Sequence, residues 1–322
     1  MRPSLVAHAP TRLDFGGGWT DVPPYPEERG GFVCNLAIER RATVRLSAIH
    51  DNDSESINHS ALVRAACSAA RVEGVRIELS SDFPMGAGLG GSSAAGVALA
   101  AVLSRWTNVL RTHCELAEWS RAVEVLGLQM AGGRQDHYAA AFGGALALSF
   151  GNEVHAQPIP LSAETTTALE QQCLLIYTGE SRISGETITA VLDAYSSRTP
   201  RVIDALERMK ALALQMAQSL RDGNVRELGA LIDEHWQHQR ALHPRITTPR
   251  IDAISAAAEK AGALGMKALG ASGGGCVVVI TPADRADQVA AAVAPFGDRL
   301  DWRVAHTGVD VREELPLPKA RA

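Results

Sequence analysis

The chain has 322 residues, 46% hydrophobic and 21% charged, with a net charge of −5 at pH 7, the composition of a soluble globular protein with room for two domains with separate cores. The acidic balance argues against non-specific nucleic-acid binding, which needs a basic surface, so an anionic ligand has to be held by a local constellation. Five scattered cysteines without CxxC spacing read as reduced, mostly buried small hydrophobes rather than a zinc site, and without a signal-peptide pattern or a bilayer-length apolar run the expected location is the cytoplasm, with no membrane partner.

In chain order, Leu5 to Ala9 is a short apolar run leading into Pro10-Thr11-Arg12-Leu13-Asp14-Phe15-Gly16-Gly17-Gly18-Trp19-Thr20-Asp21. Arg12 and Asp21 flank three consecutive glycines, so this segment reads as a tightly folded loop that brings charged groups together, either as a surface turn with a salt bridge or as a rigid pocket edge. A carboxylate beside aromatic rings suits a sugar, whose hydroxyls donate to the carboxylate while its C–H faces meet the rings. Two strands are predicted over Phe32 to Ile38 and Ala42 to Ile49, a helix over 60–72 and a strand over Val75 to Leu79.

That strand runs into Pro84-Met85-Gly86-Ala87-Gly88-Leu89-Gly90-Gly91-Ser92-Ser93-Ala94-Ala95, which opens an alanine-rich helix, Ala94 to Trp106. Glycines allow positive φ and bring backbone N–H groups close to a ligand, while the helix N-terminus adds unpaired donors and partial positive charge, so the natural occupant is a phosphate. One serine can cap the helix and the other can coordinate a phosphate-bound Mg²⁺. No Lys-Ser or Lys-Thr follows the glycines, so this is not a Walker loop.

Residues 114–130 show helical periodicity with Leu116, Trp119, Val123, Leu126 and Met130 on the apolar face and Glu124 inside the helix. Two glycine pairs, Gly132-Gly133 and Gly143-Gly144, then bracket Arg134-Gln135-Asp136-His137, in which Asp136 is the best acid/base candidate, its alternative being the cap of a short helix. The pattern loosens over 150–172 and restarts with the strand Cys173 to Tyr177, which places a domain boundary between 1–170 and 171–322. Arg182 follows in a polar loop, and helices are predicted over Gly185 to Ser197, Arg201 to Arg221 and Asn224 to Arg240. His235 and His238 lack a third ligand for a metal, and Trp236 between them reads as packing. Met266 to Leu269 enters a second glycine-rich loop, Gly270-Ala271-Ser272-Gly273-Gly274-Gly275-Cys276, whose small residues permit close approach to another loop or to phosphates.

Three motifs in this order resemble those of the GHMP kinases, the superfamily of galactokinase, homoserine kinase and mevalonate kinase: Ala9 to Arg12 the first, Pro84 to Ala95 the second and Gly270 to Cys276 the third. Gly17-Gly18-Trp19-Thr20-Asp21-Val22-Pro23-Pro24-Tyr25 and Gly133 to Asp136 look most like the branch of D-glycero-D-manno-heptose 7-phosphate kinases and bacterial fucokinases; Gly18-Trp19 stands where galactokinases have Glu-His. The resemblance implies an α+β fold of two domains, the second ferredoxin-like, with the active site in the cleft between them. It implies ATP contacts at Pro84, Gly86, Gly88, Leu89, Gly90, Gly91, Ser92, Ser93 and Ala94, and Mg²⁺ ligands at Ser93 and Glu124, with Ser92 the alternative. Asp136 matches the aspartate that contacts the acceptor hydroxyl and Arg12 the arginine beside it. Acceptor contacts are expected at Gly17, Gly18, Trp19, Asp21, Arg134, Gln135, Arg182, Gly273 and Gly274.

The expected function is an ATP- and Mg²⁺-dependent sugar kinase acting on the anomeric hydroxyl of a heptose 7-phosphate. Arg134, Arg182, His137 and Lys267, in or beside the motif loops, are the cations for the phosphate that such an acceptor carries. The alternatives are a fucokinase-like kinase of an unphosphorylated sugar and a silent sugar- and ATP-binding homologue.

Overall fold

A computed structural model describes residues 3–49, 60–127, 132–180 and 185–314. The chain begins β1 (Ser4–Gly16), α1 (Tyr25–Arg29), β2 (Gly31–Ala48), α2 (Ala61–Ala70), β3 (Val75–Ser81), α3 (Gly91–Thr107), α4 (His113–Ala122), α5 (Gln135–Phe142), β4 (Ala145–Phe150) and β5 (Val154–Ile159). It continues α6 (Ala163–Gln172), β6 (Cys173–Tyr177), α7 (Gly185–Ser196), α8 (Pro200–Arg221), α9 (Val225–Leu242), α10 (Pro249–Lys260), β7 (Gly265–Ala268), β8 (Cys276–Ile280), α11 (Ala286–Val293), β9 (Asp298–Leu300) and β10 (Asp310–Glu314).

Two sheets organise these elements. The first has the order β10-β1-β2-β4-β5 with β3 also on β2, and the second the order β7-β8-β6-β9. Every pair is antiparallel, and β6 to β9 with their helices make the β-α-β-β-α-β pattern of the expected ferredoxin-like half. The last strand returns to the first sheet, where Ser4 pairs with Glu314 and His8 with Asp310.

The chain between Leu5 and Asp21 is not the expected loop for most of its length. β1 runs through to Gly16, placing Leu13 and Phe15 on one face and Arg12 and Asp14 on the other, all buried. The strands predicted over 32–38 and 42–49 are one strand, β2, and the sequence break between them is a bulge: Pro10 pairs with Arg41 but Thr11 with Ile38, leaving Glu39 and Arg40 without partners in β1. Beyond the bulge the same face meets a different core. Ala42, Val44 and Leu46 pack with α2 and α3, whereas Cys34, Leu36 and Ile38 pack with α8 and α9.

Each half has a core cluster of its own, and a third cluster bridges them. The bridging cluster contains Leu13, Phe15 and Leu36 of the first sheet, Met216 and Ile232 of α8 and α9, and Val278 and Ile280 of the second sheet. Helix α8 is long because it serves two cores: Val202 to Met209 pack in the second half, and Leu212 to Leu220 against the first sheet. Helix α3 is buried almost all round, which is why it is built of alanine, glycine and small aliphatics. Where it crosses α4, a Cβ on Gly96 would stand 2.3 Å from the Ser120 hydroxyl.

The helix predicted over 114–130 ends as α-helix at Ala122 and continues as a π turn, Val123–Gly127; Met130 lies outside the described residues. Such wide turns reset the direction of the side chains they carry. Here the side chain is Glu124.

Candidate active site

The loop between β3 and α3 passes through positive φ at Gly86, Gly88 and Gly90, and it is braced from two sides. Arg12 on β1 donates to it twice: its backbone N–H to the Leu89 carbonyl at 3.1 Å and its guanidinium to the Gly88 carbonyl at 2.6 Å. From the second half, the Cys276 N–H donates to the Ala87 carbonyl at 2.7 Å, and a Cβ on Gly275 would lie 2.7 Å from that same oxygen. The loop's carbonyls are thus turned onto protein. Its donors stay with the first turn of α3, where Ala94 is the first N–H to bond back, to the Gly90 carbonyl; the N–H groups before it have no acceptor within the helix and can take an anion.

Neither serine caps α3. The N-cap is Gly90, left-handed and without a side-chain bond, so the capping expectation fails for lack of a side chain at that position. Both hydroxyls instead donate to Glu124, Ser92 to Oε1 at 2.5 Å and Ser93 to Oε2 at 3.4 Å. His137 lies 3.0 Å from the same carboxylate, and its other ring nitrogen is 3.0 Å from the Ser120 hydroxyl. Burial works to raise the Glu124 pKa, but the His137 contact and the two hydroxyls outweigh it and the net shift is downward. The result is an ionised carboxylate beside two hydroxyls at the mouth of the glycine loop, a hard-oxygen donor set that suits Mg²⁺ when phosphate oxygens complete it. Among the described residues no group of three or more His, Cys, Asp or Glu could hold a metal by itself.

Asp136 occupies the second position of α5 and does not cap it, since Arg134 is the N-cap. Its Oδ1 accepts from Arg12 Nε at 2.7 Å and lies 2.7 Å from a terminal guanidinium nitrogen. Arg12 is 3% exposed and Asp136 26%, so the arginine is scaffold and the carboxylate faces the opening. A Cβ on Gly90 would stand 3.0 Å from Asp136 Cγ. The aspartate is seated directly against the glycine loop.

Glycine loop, carboxylates and Arg12 line one cavity of about 530 Å³, a size that suits a small-molecule ligand. Leu62, Leu79, Phe83 and Met85 also line it, apolar side chains that sequence reasoning did not single out and that can cover a flat base. The polar lining includes Gly18, Trp19, Asp21, Gly133, Gln135 and Asp136, together with Asp14, which was also missed. The signal for Asp14 was available, because a strand places residues i and i+2 on one face and Asp14 follows Arg12 by two.

Asp21 is not paired with Arg12 as a surface turn would have it. It is buried, its Oδ2 accepts from the backbone N–H groups of Arg134 at 2.7 Å and Gln135 at 3.0 Å, and a Cβ on Gly133 would collide with it. Desolvation pushes its pKa up to about 6, against those two hydrogen bonds and with help from the charges of Asp136 and Asp14. Trp19 holds φ of 80°, which a bulky residue adopts at a cost, and its indole N–H is buried without a partner.

Several expected contacts fall elsewhere. Gly17 has its N–H on His235 Nε2 at 2.9 Å and would carry a Cβ into the Phe32 carbonyl, so it serves the turn. Ala94 is buried inside α3. Gly273 donates its N–H to the Ile246 carbonyl at 2.8 Å, and neither it nor Gly274 lines the cavity, which Gly270 and Ala271 reach instead. Arg134 contributes its backbone N–H to Asp21 while its side chain stands 3.9 Å from Glu118. Two of the four candidate phosphate cations are committed to the protein: Lys267 is fully buried against Asp14, and His137 is buried against Glu124. Arg182 lies outside the described residues.

The architecture is α+β, with a glycine loop opening a buried helix and an arginine-held aspartate facing it. The chain belongs to the GHMP kinase family: the family's sequence models described as GHMP kinases N terminal domain and GHMP kinases C terminal match residues 58–144 and 216–298. The bifunctional fucokinase/GDP-fucose pyrophosphorylase of Arabidopsis thaliana is 26% identical over an alignment of 309 positions that covers 84% of this chain and 29% of that protein. The D-glycero-alpha-D-manno-heptose 7-phosphate kinase of Campylobacter jejuni is 24% identical over an alignment of 301 positions that covers 84% of this chain and 88% of that one. The crystal structure of a D-glycero-D-manno-heptose 1-phosphate kinase from Bacteroides thetaiotaomicron superposes with a TM-score of 0.77 at 22% identity, covering 97% of this chain and 99% of that one. The chain spans about a third of the length of the bifunctional relatives that it matches.

Proposed function

We propose that this protein is an ATP-dependent sugar kinase that phosphorylates the anomeric hydroxyl of a heptose 7-phosphate. The observation that carries the kinase reading is the Asp136 carboxylate, fixed by Arg12 and seated 3.0 Å from where a Gly90 Cβ would be, beside the Ser92, Ser93 and Glu124 oxygens. The glycine loop and the first turn of α3 receive the nucleotide phosphates, and Leu62, Leu79 and Phe83 cover the base. The acceptor hydroxyl oxygen forms a bond to the γ-phosphorus as the bond to the β-phosphate oxygen breaks, and ADP leaves. Asp136 orients the hydroxyl and takes its proton as the new bond forms, a late role suited to a loose transition state. Ser93 and Glu124, with Ser92, are the residues that would hold Mg²⁺, which neutralises charge on the phosphates when bound.

On the acceptor side, Asp21 and Trp19 supply the hydroxyl acceptor and the ring face that a sugar needs. A second reading, an unphosphorylated sugar such as fucose, is favoured by one observation. Among the described residues lining the cavity Arg12 is the sole cation, and it is committed to Asp136 and the glycine loop. Turnover on heptose 7-phosphates against fucose and other free sugars tests the choice. A kcat/KM at least tenfold higher on the phosphorylated acceptor supports the first reading, and the reverse order replaces it with the second.

A further inference from the structure

Lys267 lies fully buried beneath the cavity floor, its Nζ 3.1 Å from Asp14 Oδ2 and donating to the Asp14 backbone carbonyl at 2.6 Å. The Asp14 side chain is 1% exposed, and its second oxygen, Oδ1, is buried without any hydrogen-bond partner although Asp14 lines the cavity. An orphaned carboxylate oxygen is expensive, because it has given up water and received nothing in return. A buried ion pair used only for bracing gives little stability over an apolar pair of the same volume. The half-satisfied state is what a ligand site looks like before its ligand arrives.

The surroundings say what the ligand offers. Gly18 is packed tightly against Asp14, where a Cβ would lie 2.5 Å from Oδ2 and 3.0 Å from the Gln135 side-chain nitrogen, so Oδ2 is enclosed by protein and Oδ1 is the oxygen left for a ligand. Asp21 and Asp136 line the same cavity, and the charges of Asp136 and Asp14 both bear on Asp21. A phosphate or carboxylate placed among these carboxylates is repelled, while a hydroxyl that donates is welcome. Lys267 balances the charge of Asp14 and, unlike Asp14, does not line the cavity.

We infer that Asp14 is a specificity-determining residue whose Oδ1 accepts a hydrogen bond from a hydroxyl of the acceptor. The inference rests on the sugar-kinase reading and deepens it: beside Asp14 the acceptor presents hydroxyls, and any phosphate it carries points away from that carboxylate.

The test is a scan of deoxy and deoxyfluoro analogues of the acceptor that wild type turns over, run on wild type and on Asp14→Asn. Fluorine cannot donate, and a hydrogen bond to a charged group is worth roughly 10–100-fold. Wild type is expected to lose that factor in kcat/KM on one analogue. Asp14→Asn is expected to lose a similar factor on the parent acceptor and nothing further on that analogue, with KM for ATP unchanged. Asp14→Asn leaves the Lys267 ammonium uncompensated, so the charge-neutral pair Asp14→Asn/Lys267→Met is measured alongside, with the same loss of discrimination expected. If both variants keep wild-type discrimination against every analogue, Asp14 only braces β1 against β7 and the inference is overturned. If wild type turns over no sugar at all, it is the sugar-kinase reading that has failed.

Discussion

Gly90→Ala separates backbone strain from damage to the site. Gly90 has φ of 76°, and an L-residue in the left-handed region costs roughly 1–2 kcal/mol. The new methyl would also stand 3.0 Å from Asp136 Cγ and 3.1 Å from Oδ2, closer than ordinary contact, so the carboxylate must yield by a few tenths of an ångström. It cannot yield freely. Its Oδ1 is held by two Arg12 nitrogens, and Arg12 is tied to the Gly88 and Leu89 carbonyls of the same loop. Misplacement by about 1 Å at a reacting centre costs on the order of 10²-fold, so a smaller shift should lower kcat about tenfold. Gly74→Ala is the control, with φ of 69° and nothing within 4 Å of the new methyl. Urea unfolding should show similar destabilisation of roughly 1–2 kcal/mol in both variants, and steady-state turnover should fall only for Gly90→Ala. Equal turnover in the two variants would refute the seating of Asp136 against the loop.

Asp136→Asn keeps the shape and removes the charge; turnover should fall by about 10²–10⁴-fold while nucleotide affinity by calorimetry stays nearly the same, and unchanged turnover would mean that another group takes the proton. Glu124→Gln removes the carboxylate that both serines reach, so KM for Mg²⁺ should rise; an unaltered Mg²⁺ dependence would exclude this site. Asp21 is the pH-sensitive element. Its pKa in the folded protein is raised to about 6 from 3.8, so the folded state holds the proton more tightly than the unfolded one; the stability this gives is fully present below 3.8 and lost as pH rises through 6. The size is about 3 kcal/mol, and Asp21→Asn should abolish that fall relative to wild type in urea titrations between pH 4 and 7.

How far the sequence reaches depends on whether the relevant interaction is local. β6 and the helices α7 to α9 were legible to within a residue or two, because their apolar spacing and their turns lie in consecutive residues. β1 was misread because its site-facing residues are polar: Arg12 and Asp14 on an otherwise apolar strand, followed by glycines, look like a loop until the cavity they face is known. Asp136 stood out in its glycine-bracketed polar cluster and the family resemblance set Arg12 beside it, and the structure brings the two together across the fold. Lys267 and His137 were read as free cations because their partners, Asp14 and Glu124, are distant in sequence, and only the fold shows that they are spent. The glycine loop near residue 275 could be named from its composition, but its use, pressing on the Ala87 carbonyl, needed the second half of the chain in place.

The central claim is best tested by mixing the protein with Mg²⁺-ATP and a panel of heptose 7-phosphates, fucose, mannose, galactose and glucuronic acid, following ADP release and taking ³¹P spectra of the products. The account predicts ADP release with a new anomeric phosphate resonance on a heptose 7-phosphate. Thermal stabilisation by ATP and a sugar without any ADP release would contradict it and leave a sugar- and nucleotide-binding protein that performs no transfer.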